Sequence, residues 1–469
     1  MGISTMDQRL KAFFEPNSVA VIGASRNPRK IGHIILSQMI KAGFEGKLFP
    51  INPNATEILG LKAYPSVIDV PEDVDLAIIA IPAKHSIRAV EDCGRKGIMA
   101  TVIISGGFSE VENKDLENIL VKEAKKWGVR VMGPNCLGVY SPPSKVDMLF
   151  TPSDVLPRAP KGNVAVLSQS GSLAAGLMTM LAMQEVGVSR FISYGNAADV
   201  DEADLMEYLS QDDETKVIAL YIEGIRDGRR FMKVAREIAP NKPVVVMKGG
   251  RGKAGSRAVM SHTGSLAGNE EIYAAALKQC GAIITNSLEE FVDVCQCLAT
   301  QPPTKGRRVG IITNGGGYGV VAVDSLEDQG LEIPPLSEDV KEELKRKLPP
   351  FYAISNPLDL TGSCTAEQYK IATQTMLNSK DLDCVMVIAL MSPPLLDRPK
   401  LIDSLIELGS TKEKPLVVIS MEATDEIKRQ LRRLKLAGIP YYTDPSRGAR
   451  AIAALVRFGE VKRIKGLQL

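Results

Sequence analysis

Histidine and tryptophan are nearly absent from this chain, which holds three histidines and one tryptophan in 469 residues. An excess of charge of one sign is missing as well. The 57 Lys and Arg residues are offset by 55 Asp and Glu, the net charge is +2 and the basic residues are scattered. That excludes the electrostatic footprint of a nucleic-acid binder and leaves a small-molecule or protein partner. No apolar run approaches the length of a membrane span. The opening MGISTMDQRL lacks the apolar core of a signal peptide, and Met6 stands where a myristoylation motif wants Ser or Thr. The seven cysteines are dispersed, and the close pair Cys295 and Cys297 lies in an apolar helical pattern without metal-ligand spacing. Reduced thiols in a cytoplasm, and no metal site, are the expectation.

What is there is length and pattern. The chain suffices for roughly three domains, each with its own core. Short β-branched runs alternate with helical patterns: SVAVIGAS, KLFPINP, VDLAIIAIPA, ATVIISGGF and VRVMGPN read as buried parallel strands. A Pro- and Ser-rich stretch, YSPPSKVDMLFTPSDVLPRAPKGN, reads as a linker to a second series: VAVLSQSGS, VSRFISYGN, VIALYIEGI and PVVVMKGGRG. A third series, VGIITNGGGYG, CVMVIALM and PLVVIS, follows LATQPPTKGRR. The expected architecture is α/β, with three tandem doubly wound parallel-sheet domains at 1–140, 141–300 and 301–469.

Each series opens by sending a strand through a small-residue turn into a helix. In VIGASRNPRKIGHII the amides of Gly23, Ala24 and Ser25, added to the dipole of a helix starting near Gly32, suit a phosphate; a ligand-free tight turn is the alternative. Asn52 and Asn54 follow the second strand where an NAD site wants an acid, which weighs against a dehydrogenase. The loops IPAK, SGGFSE and GPNCLG gather at the same sheet edge, where open α/β sheets bind nucleotide-like ligands. Cys136 reads as a small non-catalytic cysteine, and His33 and His85 as structural or ligand-edge residues.

In the second series Ser168, Gln169, Ser170, Gly171 and Ser172 form a hydroxyl-rich helix start suited to an anion, against which stands simple capping by one serine. The remaining histidine, His262, ends the basic glycine-rich stretch GGRGKAGSRAVMSHTGSLAG. A histidine that carries a phosphoryl group needs exposure, amides for the oxygens and an acid on its other nitrogen. Glu223, at the end of VIALYIEG, stands where a parallel sheet delivers such an acid; a surface or capping histidine is the plainer alternative. In the third series ITNGGGYG and SNPLDLTGS suit either an anion nest or a sharp turn.

Together GASRNPRKIG, INPNATEILG, GPNCLGV, SQSGSLAAGL, YIEGI, the histidine segment, ITNGGGYG and NPLDLTG resemble, in order and over the whole chain, the alpha subunits of the ADP-forming acyl-CoA synthetases, acetate–CoA ligases among them. These are relatives of succinyl-CoA synthetase. The resemblance implies a Rossmann-like CoA-binding domain, a flavodoxin-like domain bearing a phosphohistidine, and a third flavodoxin-like domain completing an acyl-phosphate site. Gly23, Ala24 and Ser25 would meet the CoA phosphates, with Asn52, Pro53, Ile81 and Pro82 beside the nucleotide and Asn135 near the thioester. The lysine that follows the second strand in succinyl-CoA synthetase is missing here, leaving Lys30 or Lys62 as substitutes. His262 would carry the phosphoryl group, Glu223 would steady it, and Ser168 to Ser172 would cradle it. Asn314, Gly315, Gly316, Gly317, Asn356 and Asp359 would lie near the acyl phosphate.

The resemblance further implies that acetyl-CoA and phosphate react between the first and third domains. The stretch Gly249 to Met260 would then carry phosphohistidine to ADP. None of the three series resembles an ATP-grasp domain, so ADP or ATP with magnesium would bind a separate beta subunit, in an α2β2 assembly. The rival expectation is a CoA- or nucleotide-sensing protein that kept the fold and lost catalysis.

Overall fold

The computed structural model describes residues 8–252, 254, 255, 257 and 270–464. They fall into two compact units, Met1–Leu288 and Glu289–Leu469.

Among the described residues the first unit holds two large sheets and a two-stranded one. One consists of β1 (Ser18–Ile22), β2 (Lys47–Ile51), β5 (Leu76–Ile79), β6 (Ala100–Ile103) and β7 (Arg130–Met132), in the order β2-β1-β5-β6-β7 and parallel throughout. A two-stranded hairpin, β3 (Glu57–Ile58) with β4 (Leu61–Lys62), follows β2. Strands β1, β5 and β6 are buried along their whole length, which is why they read as unbroken apolar runs rather than alternating ones.

The second sheet has seven strands in the order β14-β13-β12-β10-β11-β8-β9. Its parallel part is β10 (Lys161–Ser168), β11 (Val188–Ser193), β12 (Val217–Ile222), β13 (Val244–Lys248) and β14 (Ile283–Thr285). The expectation of a linker and an all-parallel sheet is corrected at β8 (Gly138–Ser141) and β9 (Val146–Asp147). Both lie in or beside the Pro-rich stretch and add antiparallel strands at the β11 edge, with Ile192 opposite Val139. The stretch is held inward by the buried Asp147, whose carboxylate takes Arg158 Nε at 2.8 Å and Nη2 at 3.1 Å.

These two sheets belong to one unit because the 195–200 segment is laced to the end of β7. Asn196 N donates to Pro134 O at 3.0 Å, Ala198 N to Gly133 O at 3.1 Å and Val200 N to Val131 O at 3.1 Å. A Cβ on Gly195 would stand 2.3 Å from Pro134 O, so this approach requires glycine. Arg130 closes the seam, pairing with Asp199 at 2.9 Å and Asp204 at 2.7 Å while largely shielded from water.

The second unit is built on β15 (Val309–Thr313), β16 (Leu358–Asp359), β17 (Cys384–Ile388), β18 (Leu416–Ile419) and β19 (Tyr441–Tyr442), parallel in the order β16-β15-β17-β18-β19. Residues 289–300, from the helix Leu288–Thr300, group with this unit. Asp293 explains it: the buried carboxylate takes Arg447 Nη2 at 2.7 Å, and its carbonyl accepts the Tyr442 hydroxyl at 2.9 Å. In each of the three large sheets the first parallel strand (β1, β10 or β15) has the next parallel strand in sequence on one side and a later one on the other. The crevices β1/β5, β10/β12 and β15/β17 are therefore the switch points at which such sheets take ligands.

Candidate active site

A cavity of about 580 Å³ opens at the β1/β5 crevice. It collects Gly23, Ala24, Ser25, Lys30, Asn52, Pro53, Ile81 and Pro82, which are the residues expected for CoA apart from Asn135, and it adds His85. Gly23 has φ +95°, and a Cβ on Gly32 would lie 2.1 Å from Gly23 O, so the turn and the Ile31–Lys41 helix meet backbone to backbone. No side chain caps that helix, leaving its positive end to a ligand. Asn52 Nδ2 donates to Ala24 O at 2.7 Å, and the His33 ring Nδ1 lies 2.7 Å from Ser25 O, which makes His33 a brace of the turn. Of the two lysines, Lys30 lines the cavity. Lys62 sits in the hairpin, 5.2 Å from the centroid of the Tyr64 ring.

Asn135 stands on the neighbouring 133–138 loop with φ +58°, its amide donating to Asn196 Oδ1 at 3.3 Å. Cys136 is buried, its thiol donating to Ile103 O at 3.3 Å, and burial pushes its pKa up to about 12. Such a thiol is no nucleophile at neutral pH.

At the β10/β12 crevice the serine turn meets Glu223. Ser168 is buried and donates to Ser170 O at 2.8 Å; Ser170 caps the Gly171–Met183 helix; Ser172 is exposed, 3.2 Å from Ser170 Oγ. Simple capping thus accounts for Ser170 and leaves Ser172 exposed in the first turn, beside Gly171. Gln169 turns to β12 instead: its Oε1 accepts the N–H of Glu223 and of Gly224, and its Nε2 donates to Gly224 O. Glu223 is buried and takes the Tyr221 hydroxyl at 3.3 Å. That phenol is raised in pKa, first by burial and then by the Glu223 charge. His262 lies outside the described residues, as does most of the segment from Lys253 to Met260.

In the second unit, at the β15/β17 crevice, Asn314 bridges the two strand ends. It accepts Leu390 N at 2.9 Å and donates to Leu390 O at 2.8 Å. Gly315 precedes the Gly316–Asp328 helix, whose start has no side-chain cap, and Asp359 Oδ2 would lie 3.0 Å from a Cβ on Gly316. Gly317 is open, with nothing within 4 Å of a Cβ placed there. Asn314, Gly315, Gly316 and Asp359 therefore do gather. Asn356 is not among them: its amide is spent on Val309 O, Pro334 O and Ile311 N, each at 2.9 Å, bracing the body of β15.

The sequence reading missed Lys248, which ends β13 opposite Ile222. Its ammonium is buried, donates to Gly249 O, lies 4.9 Å from the Tyr273 ring centroid and faces Glu223 and Glu270; burial lowers its pKa. The signal for it was the one that found Glu223, a charged residue ending an apolar run. Asn196, Glu110, Glu117 and Arg226 were also missed. Among the described residues no cluster of His, Cys, Asp and Glu is arranged to hold a metal, and no helix is long and apolar enough to cross a membrane.

Comparison with known proteins adds to this geometry. Residues 17–142 match the family described as CoA binding domain, 161–298 the succinyl-CoA ligase like flavodoxin domain, and 309–454 the Ligase-CoA domain. The acetate–CoA ligase [ADP-forming] I subunit alpha of Pyrococcus furiosus is 40% identical over 463 residues, covering 97% of this chain and 98% of that one. The acetate–CoA ligase [ADP-forming] of Methanocaldococcus jannaschii is 39% identical over 97% of this chain, which spans 64% of that longer protein. Among solved structures, a dinucleotide forming acetyl-coenzyme A synthetase 1 of Ca. Korarchaeum cryptofilum, in complex with phosphate and ADP, matches with a TM-score of 0.91. It is 37% identical and is covered over 98% of this chain and 99% of that one.

Proposed function

Because the chain belongs to the family of ADP-forming acetate–CoA ligase alpha subunits, we propose that it converts acetyl-CoA, ADP and phosphate to acetate, ATP and CoA, reversibly, with the residues above in the following roles. The cavity at the β1/β5 crevice takes CoA, with the amides of Gly23 to Ser25 and the Lys30 ammonium on its phosphates. Phosphate attacks the thioester carbonyl; the C–S bond breaks and CoA leaves as the thiolate. The acetyl phosphate formed meets Asn314, Gly315, Gly316, Gly317 and Asp359.

His262 then attacks phosphorus and acetate departs. Glu223 balances the positive charge that develops on the imidazole, while Gly171, Ser172 and the start of the Gly171–Met183 helix hold the phosphoryl oxygens. ADP takes the phosphoryl group from His262 on a separate beta subunit of ATP-grasp type, which holds the magnesium, in an α2β2 assembly. Buried, unpaired thiols suit a reducing cytoplasm.

One observation carries this reading: Glu223, a buried acid, has its backbone N–H held by Gln169 of the turn that opens an anion-suited helix. The test is coexpression with a candidate ATP-grasp subunit and assay of ATP from acetyl-CoA, ADP and phosphate. Acid-labile, alkali-stable phosphate on this chain is expected. A complex that forms and turns over without such a phosphoenzyme would overturn the phosphohistidine role.

A further inference from the structure

We propose that Asn196 is a positioning residue that ties the wall of the CoA cavity to the Glu223 segment, so that CoA occupancy sets the order of residues 223–227. The inference rests on the cavity being the CoA site. Asn196 follows β11 in the second sheet, yet its side-chain amide points into the first domain's loops. Nδ2 lies 2.7 Å from Glu110 Oε2, 2.9 Å from Glu117 Oε2 and 3.1 Å from Ser109 Oγ. Oδ1 accepts Asn135 Nδ2 at 3.3 Å. Two carboxylates thus converge on one neutral amide, which makes the arrangement sensitive to small displacements of either.

From there bonds run both ways. Toward the cavity, Glu110 Oε1 accepts the N–H groups of Gly107 and Phe108, fixing the 105–108 loop; Ser105 of that loop donates to the carbonyl of Ile81, a cavity wall residue. Burial pushes Glu110 up, but the bonds from Asn196, Gly107 and Phe108 outweigh it and hold the carboxyl below its ordinary value. Away from the cavity, Arg226 Nη2 donates to Asn196 O at 2.9 Å and to Glu117 Oε1 at 3.2 Å. Arg226 lies three residues beyond Glu223, on a segment otherwise fastened by Gln169 and by Tyr273, whose hydroxyl accepts Ile225 N at 3.3 Å. A ligand that moves Ile81 and the 105–108 loop has a hydrogen-bonded route to Arg226, three residues along the chain from the carboxylate proposed to steady His262.

Hydrogen exchange read by mass spectrometry, with and without free CoA, tests this on the full chain. In the wild type CoA should slow exchange across 223–227 by about threefold or more. In Asn196→Ala, and separately in Arg226→Met, CoA should bind within about threefold of wild type while that slowing disappears. Arg226 is more than half exposed, so Arg226→Met carries the test if Asn196→Ala fails to fold. A response at 223–227 that persists in the folded variants, or is absent from CoA-bound wild type, overturns the proposal. Failure of wild type to bind CoA overturns the cavity reading, and the coupling falls with it.

Discussion

Gln169 and Gly224 are bonded in both directions: Gln169 Oε1 accepts the Gly224 N–H at 3.1 Å, and Gln169 Nε2 donates to the Gly224 carbonyl at 2.7 Å. One side chain thereby satisfies a backbone donor and acceptor where β12 ends, and the same Oε1 accepts the N–H of Glu223. The backbone that carries the Glu223 side chain is thereby held at the strand end. Gln169→Ala should strand these backbone groups, at about 1–3 kcal/mol for each buried group left unpaired. Denaturant unfolding should show the loss. Phosphorylation should fall further than stability explains, and a stable variant with wild-type phosphorylation would show that the clamp does not orient Glu223.

Replacing the acid itself separates orientation from charge. Glu223→Gln keeps the shape and removes the charge that offsets the imidazolium, so phosphoenzyme formation should slow by roughly 10²–10⁴-fold, with CoA affinity unchanged. His262→Ala should abolish the phosphoenzyme and also leave CoA binding intact. Rapid quench with radiolabelled phosphate reads the first, calorimetry the second. An unaltered rate in Glu223→Gln would assign the supporting charge to another group.

The two candidate lysines divide on position. Lys30 lines the cavity at the uncapped helix start, whereas Lys62 is in the hairpin beside Tyr64. Lys30→Ala should weaken CoA binding by about tenfold at low salt and flatten its salt dependence, since an exposed charge pairing with phosphate is screened. Lys62→Ala should stay within about twofold. Calorimetric titration at two salt concentrations distinguishes them, and the reverse ranking would place the CoA phosphates at the hairpin.

The strands that position these residues were legible in the sequence because parallel strands covered on both faces are largely apolar: VIALYI, and VVVM ahead of Lys248, are buried along their whole length. Glu223 could be found because it breaks such a run at the sheet edge. The two-residue strands β9, β16 and β19 carry no such signal, since they exist only by pairing with neighbours distant in sequence. Asn356 read like Asn314, each a lone asparagine beside a turn; what separates them is which backbone groups lie within reach. Asn196 had no signal either, because the partners of its side chain come from 61 to 87 residues away.

Glu202 supplies a pH dependence. It is the first residue of the Glu202–Ser210 helix, where the dipole favours a carboxylate, but it is only 3% exposed. Burial first, with the charges of Asp201 and Asp204, pushes its pKa from an ordinary 4.5 to about 7; its own N–H and Arg226 offset this only in part. A raised carboxyl binds its proton more tightly in the folded state than in the unfolded one. The stability linked to it is therefore intact below about pH 4.5 and is lost as pH rises to about 7, the penalty for ionising in place approaching an upper value of about 3 kcal/mol. Glu202→Gln removes that penalty. The variant should match wild type near pH 4.5 and exceed it increasingly up to pH 8, as read from urea unfolding midpoints across that range. A constant difference at every pH would mean that Glu202 ionises in the folded protein as it does in the unfolded chain.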